Sequence, residues 1–395
     1  MSFKIAFMTF SFATALVPAA FLLPRLRLGR MLRVSLTLFL FVVSSQFLVN
    51  SLFGGSMFYP AWPLPLVITW GALNCALMVF FFLHLPCYLV LPWIPVRWRR
   101  IVVGLVAAFS AALTSVGVYE CVKIPRVNEI CLSLEGLPLE FDGYRIAQLS
   151  DIHCSQITPR SRFGEIVRRT NAAKPDLICL TGDYVDGWVG QLGDKLKPFS
   201  GFNAPDGVLA VPGNHEYYWG WREWRPFFEG LGFAVLENSW TNIVRGSASI
   251  VVGGIPDVVS SKPLKRGSGG AKERDGSADF RRPDHESVFS GAPRDSFRIL
   301  LMHRPLSVRV AGGRCNVKLQ LSGHTHGGQF NLGGFTPYSL GYEAHYHGLS
   351  HVKGWRGKEL VSPGIGYSKI PLRLGVRPVI HKIRFEKASA EQGRN

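Results

Sequence analysis

A chain of 395 residues with 47% hydrophobic and only 18% charged residues is too long for one small domain and too apolar to be wholly soluble. The formal charge of +17 does not by itself point to nucleic acid: nine Lys/Arg stand against one Asp/Glu through residue 123, and 35 against 26 beyond it. About half of the excess therefore lies in an apolar amino-terminal region, and the seven cysteines contain no C-x-x-C pair, which argues against a thiolate zinc knuckle or a thioredoxin-type redox pair.

The first 123 residues read as a transmembrane region. Four apolar stretches, 4–23, 32–53, 65–93 and 101–119, are each long enough for the ~20 residues that a helix needs to cross a bilayer core. The first has features of a signal peptide, with Lys4 ahead of an apolar run, but three more stretches follow and favour a retained helix. Arg25, Arg27, Arg30 and Arg33 separate stretches one and two, and Arg97, Arg99 and Arg100 separate three and four. The segment "GGSMFYPAWPLP" between two and three carries no arginine or lysine. The positive-inside rule then places both arginine loops in the cytoplasm and everything after the fourth stretch outside it, as expected of a multi-pass protein of a bacterial inner membrane. His84 is an ionisable residue deep in the third stretch, where "HLP" suggests a helix end rather than a transport site. Cys121 and Cys131 would pair only in an oxidising compartment, and spacing alone does not establish a bond.

From residue 124 short β-branched runs alternate with polar helical segments, the texture of an α/β layered domain extending to 386. "YRIAQLS", "PDLICLTG", "DGVLAVPG", "ASIVVGGI", "FRILLMH" and "VKLQLSG" read as buried strands, with "SRFGEIVRRTNAA" and "WREWRPFFEG" as helices between them. Residues 259–296 are dominated by Gly, Ser, Pro and charged residues and read as a flexible insertion, and 387–395 as a disordered tail.

Five of the strands end in polar sets. Asp151-Ile152-His153 follows the first, Gly182-Asp183 with Asp186 the second, and Gly213-Asn214-His215-Glu216 the third. His303-Arg304-Pro305 and Gly323-His324-Thr325-His326-Gly327-Gly328-Gln329 follow the last two. Loops beyond the carboxyl ends of strands converge on one crevice in α/β sheets, so these groups can share one pocket. Carboxylate, imidazole and amide donors without thiolate suit divalent manganese, iron, zinc or nickel. Their number suits two ions about 3.5–4 Å apart, the arrangement used for in-line displacement at phosphorus.

DxH, GDxxD, GNHE, HxP and GHTHGGQ, in this order, resemble the calcineurin-like metallophosphoesterases, and "GLPLEFDGYRIAQLSDIH" with "SPGIGYSKIPLRLGVRPVI" resembles the membrane-linked bacterial branch of that superfamily. The resemblance covers about residues 127–386 and implies a four-layer β-sandwich, two mixed sheets faced by helices. It also implies that Asp151, His153, Asp183 and His326 hold one metal, and Asp183, Asn214, His303 and His324 the other. His215 would remain unligated as the catalytic acid, with Glu216 orienting it. Asp186 is left off the metal set, and Gly327 and Gly328 are read as permitting close backbone approach to the metals. Arg304, Gln329, His345, His347 and His351 read as loop residues near the site.

The leading expectation is a membrane-anchored, dinuclear-metal phosphoesterase acting on mono- or diesters. A phospholipid or lipid-linked pyrophosphate is the candidate substrate, and the bilayer the partner. The alternative is a non-enzymatic membrane sensor or scaffold with a metal-binding outer domain. Nucleic acid is disfavoured because no stacking-aromatic patch accompanies the charge.

Overall fold

The computed structural model describes the chain apart from residues 1–2, 54, 57–58, 61, 262–280, 306–314, 332–335, 337–346, 352–354, 356, 368–369 and 388–395. His345, the middle of the 259–296 insertion and the tail beyond 387 lie outside the described residues. The chain divides into two units, Met1–Val122 with Lys369–Leu374, and Lys123–Ser368 with Gly375–Asn395.

The first unit is helical: α1 (Phe3–Val17), α2 (Arg30–Ser44), α3 (Gln46–Phe53), α4 (Leu64–His84), α5 (Cys87–Val90) and α6 (Val96–Val122), with a short ribbon β1 (Gly55–Ser56) and β2 (Tyr59–Pro60). Ile5–Leu26, Leu64–His84 and Val96–Val122 are three helical stretches long and apolar enough to cross a membrane. Arg30–Ser44 and Gln46–Phe53 would make a fourth only as one span bent by 51°. That is the first departure from four unbroken helices. The second is the shorter third stretch, which ends at His84 because Pro86 and Pro92 cannot donate to the helical ladder. His84 is buried and hydrogen bonded, Nδ1 to Phe80 O at 2.9 Å and Nε2 to Tyr88 Oη at 3.1 Å, so its polarity is satisfied locally. The two arginine loops meet at one end of this unit. Arg100 Nε donates to Leu26 O at 3.0 Å, and Arg99 Nη1 to Arg25 O at 3.3 Å. Residues from the later chain belong here too, the Arg373 N–H donating to Gly117 O at 3.1 Å.

The second unit is an α/β domain. In chain order it runs β3 (Arg126–Leu134), β4 (Arg145–Leu149), α7 (Arg160–Ala172), β5 (Leu177–Thr181), α8 (Val189–Leu196), β6 (Val208–Val211), α9 (Asn214–Tyr218) and α10 (Trp221–Gly230). Then follow β7 (Phe233–Val235), β8 (Ser239–Arg245), β9 (Ala248–Ile255), β10 (Phe297–Met302), β11 (Val317–Ser322), β12 (Gly348–Ser350), β13 (Lys358–Val361) and β14 (Val379–Lys387). The strands form two six-stranded mixed sheets, ordered β3-β14-β4-β5-β6-β7 and β12-β13-β11-β10-β9-β8. In the first, β4 through β7 are parallel and β14 is antiparallel to β4; in the second, β9, β10, β11 and β13 are parallel with antiparallel β8 and β12 at the edges.

One core joins the sheets. Ile146, Cys179, Leu209 and Val211 from the first pack with Val252, Ile299, Leu301, Leu319 and Leu360 from the second, all buried. This alternation inward is what β-branched and aliphatic runs at period two produce. Phe163 and Ile166 of α7, Leu192 of α8, and Trp224 and Phe228 of α10 are buried. Among the described residues no α-helix longer than a turn follows β9, β10 or β11. Instead Val288 and Phe289 bury against Val251 and Leu300 of the second sheet. Within the insertion, 281–296 is thus seated through Val288 and Phe289, with Ala292 packed against the same cluster. Cys121 is buried and Cys131 exposed, and no disulfide joins the two.

Candidate metal centre

β4, β5, β6, β10 and β11 lie in the two facing sheets, and the residues following each strand come together. His153 Nε2 lies 3.1 Å from His326 Nε2, and His326 Nε2 lies 3.4 Å from Asp151 Oδ1. His303 Nε2 lies 3.1 Å from Asp183 Oδ2 and 3.1 Å from His324 Nδ1. Asp183 Oδ2, in the second cluster, also lies 3.8 Å from His153 Nε2 of the first. The ligand atoms of Asp151, His153 and His326, and those of Asp183, His303 and His324, form two sets close enough to hold an ion each. Asn214 sits beside them, its Oδ1 accepting from Arg304 Nη2 at 3.2 Å. All seven residues of the sequence-derived ligand set are therefore in one place.

The local backbone is shaped for this convergence. Asp151, His153, Asp183, His324 and His326 all have positive φ, between 46° and 71°. Left-handed backbone at non-glycine residues costs on the order of 1–3 kcal/mol each and clusters at functional sites. The surroundings hold it in place: the His324 N–H donates to Asp151 Oδ1 at 3.0 Å, and the His215 N–H to Asp183 Oδ1 at 2.9 Å. Gly213 and Gly323 are required by close approach, since a Cβ on Gly213 would collide with the Asp183 carboxylate, and one on Gly323 with Ser150 Oγ and Asp151 Oδ2. Gly327 and Gly328 do not serve the metals in that way; they pack against Val376 and Thr336.

The acid that holds His215 is not the one that the sequence suggested. Glu216 does not orient His215. Its carboxylate accepts the N–H groups of Gly213 at 2.7 Å, Asp183 at 2.9 Å and Tyr184 at 2.6 Å, tying the GNHE turn to the GD turn. Asp186 is the residue that meets His215, accepting from its Nδ1 at 2.5 Å through one oxygen and from His153 Nδ1 at 3.1 Å through the other. Hydrogen bonds of this kind keep a proton on Nδ1 of each ring and turn Nε2 toward the cluster. His303 is fixed likewise, Nδ1 donating to Thr181 O at 2.8 Å.

That arrangement tests whether the residues fit a cation. With Nδ1 of His303 committed, its Nε2 lone pair, the Asp183 oxygen and the His324 nitrogen converge at about 3.1 Å, three electron-rich atoms that repel unless a cation lies between them. When no metal neutralises the site, protons respond to the same field. Burial disfavours charge on His303, but Asp183 and Asp151 outweigh it and push its pKa up to about 10. For His215, Asp183 and Asp186 outweigh burial and raise it to about 9. Burial would raise Asp183, yet the neighbouring imidazolium groups hold it well below the usual carboxylate range. His324 is driven down by burial and by the His303 cation.

Arg304 lies at the rim, 22% exposed, with Nε donating to the fully buried Asp257 at 2.7 Å. His347 and His351 are exposed. Asp186 and the Arg304–Asp257 pair are the site features that sequence reasoning undervalued. GDxxD did carry the signal for Asp186, whereas Asp257 stands in no motif.

Residues 144–328 match the model of the calcineurin-like phosphoesterase family. The chain is 30% identical over 71% of its length to an uncharacterized metallophosphoesterase, YkuE, of Bacillus subtilis, covering 95% of that protein. It is 29% identical over 74% of its length to a zebrafish (Danio rerio) transmembrane protein with metallophosphoesterase domain, covering 64% of it. It is also 30% identical over 70% of its length to a putative metallophosphoesterase of Caenorhabditis elegans, F40B5.2, covering 55% of it. The fold and the site thus define a calcineurin-like metallophosphoesterase domain. The chain belongs to that family, whose similar members here include animal as well as bacterial proteins, and it spans well under two thirds of the nematode relative.

Proposed function

We propose that this protein is a membrane-anchored phosphoesterase with a dinuclear metal centre. Asp151, His153, Asp183 and His326 would hold one divalent ion, and Asp183, Asn214, His303 and His324 the second. Manganese, iron, zinc and nickel all suit this donor set. Ions bound there supply electrostatic stabilisation of a phosphoryl group and a water of lowered pKa.

The chain's own residues do the rest. His215, held by Asp186, is 7% exposed with its Nε2 on the cluster side, 3.9 Å from Asp183 Oδ2. There it donates a proton to the departing alkoxide, a contribution that typically amounts to ~10²–10⁴-fold. Arg304, aimed by Asp257 and reaching Asn214, clamps a phosphoryl oxygen. The observation that carries this reading is the gathering of two ligand sets, Asp151–His153–His326 and Asp183–His303–His324, with Asp183 Oδ2 of the second 3.8 Å from His153 Nε2 of the first.

The helices anchor the site to a bilayer, and the arginine loops at one end of the helical unit support a cytoplasmic position for that end. The later domain then lies outside the cytoplasm, and a phospholipid or lipid-linked pyrophosphate becomes the candidate substrate. Full-length protein stripped of metal and re-supplied with Mn²⁺ is expected to hydrolyse an aryl phosphomonoester or phosphodiester. No turnover across several metals and esters would contradict the reading. A carboxyl-terminal alkaline phosphatase fusion is expected to be active, and activity only of a cytoplasmic fluorescent fusion would reverse the orientation.

A further inference from the structure

The arginines of the helical unit do more than orient it: they form a surface whose charge no carboxylate answers. Backbone contacts hold the two arginine segments together. Arg100 donates through Nε to Leu26 O at 3.0 Å and through Nη2 to Arg27 O at 2.8 Å, and Arg99 through Nη1 to Arg25 O at 3.3 Å. Beneath them Leu26 and Leu28 pack in one apolar cluster with Ile94, Val102 and Val103. The start of α6, which carries Arg97, Arg99 and Arg100, is thereby fixed beside the segment that carries Arg25 and Arg27. Arg30 and Arg33 follow at i and i+3 on the first turns of α2, where side chains so spaced are neighbours.

Guanidinium groups gathered in this way repel one another unless anions lie between them. The first acidic residue of the chain is Glu120, near the opposite end of α6. It lies 20 residues beyond Arg100, roughly 30 Å at 1.5 Å per residue. Arg99 and Arg100 direct their donors to backbone carbonyls. Arg27, Arg30, Arg33 and Arg97 are exposed, and among the described residues no hydrogen bond or ion pair engages their guanidinium groups. Four cations at one end of the unit are thus open to an outside anion.

The neighbouring residues say which anion suits them. Met31, Leu32 and Val34, interleaved with Arg30 and Arg33, are 86%, 53% and 50% exposed. Trp93 and Trp98, flanking Arg97, are 86% and 49% exposed. Tryptophan and long basic side chains next to exposed aliphatic residues mark the level where acyl chains meet headgroups, the arginine stems lying along apolar surface and their charged ends in the polar layer. An acidic peptide or a nucleic acid would meet the charge but leave the apolar surface in water, whereas an anionic phospholipid covers both. Clusters of four or more basic residues beside membrane helices attract such headgroups. We propose that the surface formed by Arg27, Arg30, Arg33 and Arg97 binds the headgroups of anionic phospholipids. The proposal rests on the bilayer anchoring proposed above and does not depend on turnover at the metal centre.

The test is native mass spectrometry of the full chain in neutral detergent, titrated with phosphatidylglycerol and with phosphatidylcholine of the same acyl chains. Micelles have no sides, so orientation in the cell does not enter. The wild type is expected to retain phosphatidylglycerol at least tenfold more tightly, with the difference shrinking as salt is raised. With Arg27→Gln, Arg30→Gln, Arg33→Gln and Arg97→Gln combined, the preference is expected to fall below threefold while phosphatidylcholine retention stays unchanged. Lysine at the same four positions is expected to keep the preference, which separates loss of charge from loss of fold. If the glutamine variant aggregates, Arg27→Gln with Arg97→Gln is expected to lower the preference at least threefold. Equal retention of the two lipids by the wild type, or a preference unchanged in a folded glutamine variant, would overturn the proposal. So would a preference abolished by inorganic phosphate but not by chloride at the same ionic strength. Retention of neither lipid would overturn the anchoring as well.

Discussion

Asp186→Asn is the sharpest single perturbation of the site. The carboxylate gives one oxygen to His153 Nδ1 at 3.1 Å and the other to His215 Nδ1 at 2.5 Å. Asparagine has nearly the same shape but only one acceptor, so its amide N–H₂ must face one of the two rings. That ring then has to turn its lone pair to Nδ1 and its proton to Nε2, the side facing the cluster. Outer carboxylates of this kind typically hold 10–100-fold of metal affinity or activity, roughly 1.4–2.7 kcal/mol. A drop of that size in kcat/KM on an aryl phosphodiester is expected. If the amide faces His153, its metal-facing lone pair is lost and the metal concentration for half-activation rises; if it faces His215, the imidazolium loses the carboxylate that stabilises it and kcat falls at saturating metal. Activity within twofold of wild type at every metal concentration would refute the positioning role of Asp186.

The other expectations follow from the same packing. Glu216→Gln turns one carboxylate oxygen into an amide that faces backbone donors, either Gly213 and Asp183 or Tyr184 and Val185. At 1–3 kcal/mol for each unmet donor, a loss of about 2–6 kcal/mol in denaturant unfolding is expected. Gly213→Ala, which drives a Cβ into Asp183, is expected to lower metal occupancy by at least tenfold in a titration, with the fold retained by circular dichroism. Glu359 of β13, buried and hydrogen bonded to Gln320 Nε2 at 3.1 Å, has its pKa pushed by burial from 4.5 up to about 8. The folded state therefore holds a proton that the unfolded state has lost between those values. Stability should fall by up to about 1.4 kcal/mol per unit as pH rises from 4.5 and level off above about 8. Glu359→Gln should remove that slope, as read from melting curves at pH 5 and pH 8.

Much of the site was legible because each motif stands directly after a strand. A run such as Val208–Val211 can only deliver Gly213 and Asn214 to the strand's carboxyl end, and the parallel sheets bring five such ends together. What was not legible was which acid reaches which imidazole. Glu216 is one residue from His215 and Asp186 is 29 away, yet the short helix α9 turns Glu216 back onto the GD loop. Only the folded path of the chain decides that. The bend at Ser45 escaped for a related reason: no proline or glycine marks it, and Trp70 and Asn74 of another helix sustain it. Val288 and Phe289 were masked by the polar composition around them, although a few apolar residues suffice to seat a segment on an open sheet face.

The metal content of purified full-length protein, loaded with Mn²⁺ and freed of excess ion, tests the shared centre most directly. Two ions per chain are expected, with both lost in Asp183→Ala, and one lost in either His326→Ala or His324→Ala. A wild type that binds no metal, or a stoichiometry indifferent to Asp183, would contradict a dinuclear site built on that carboxylate.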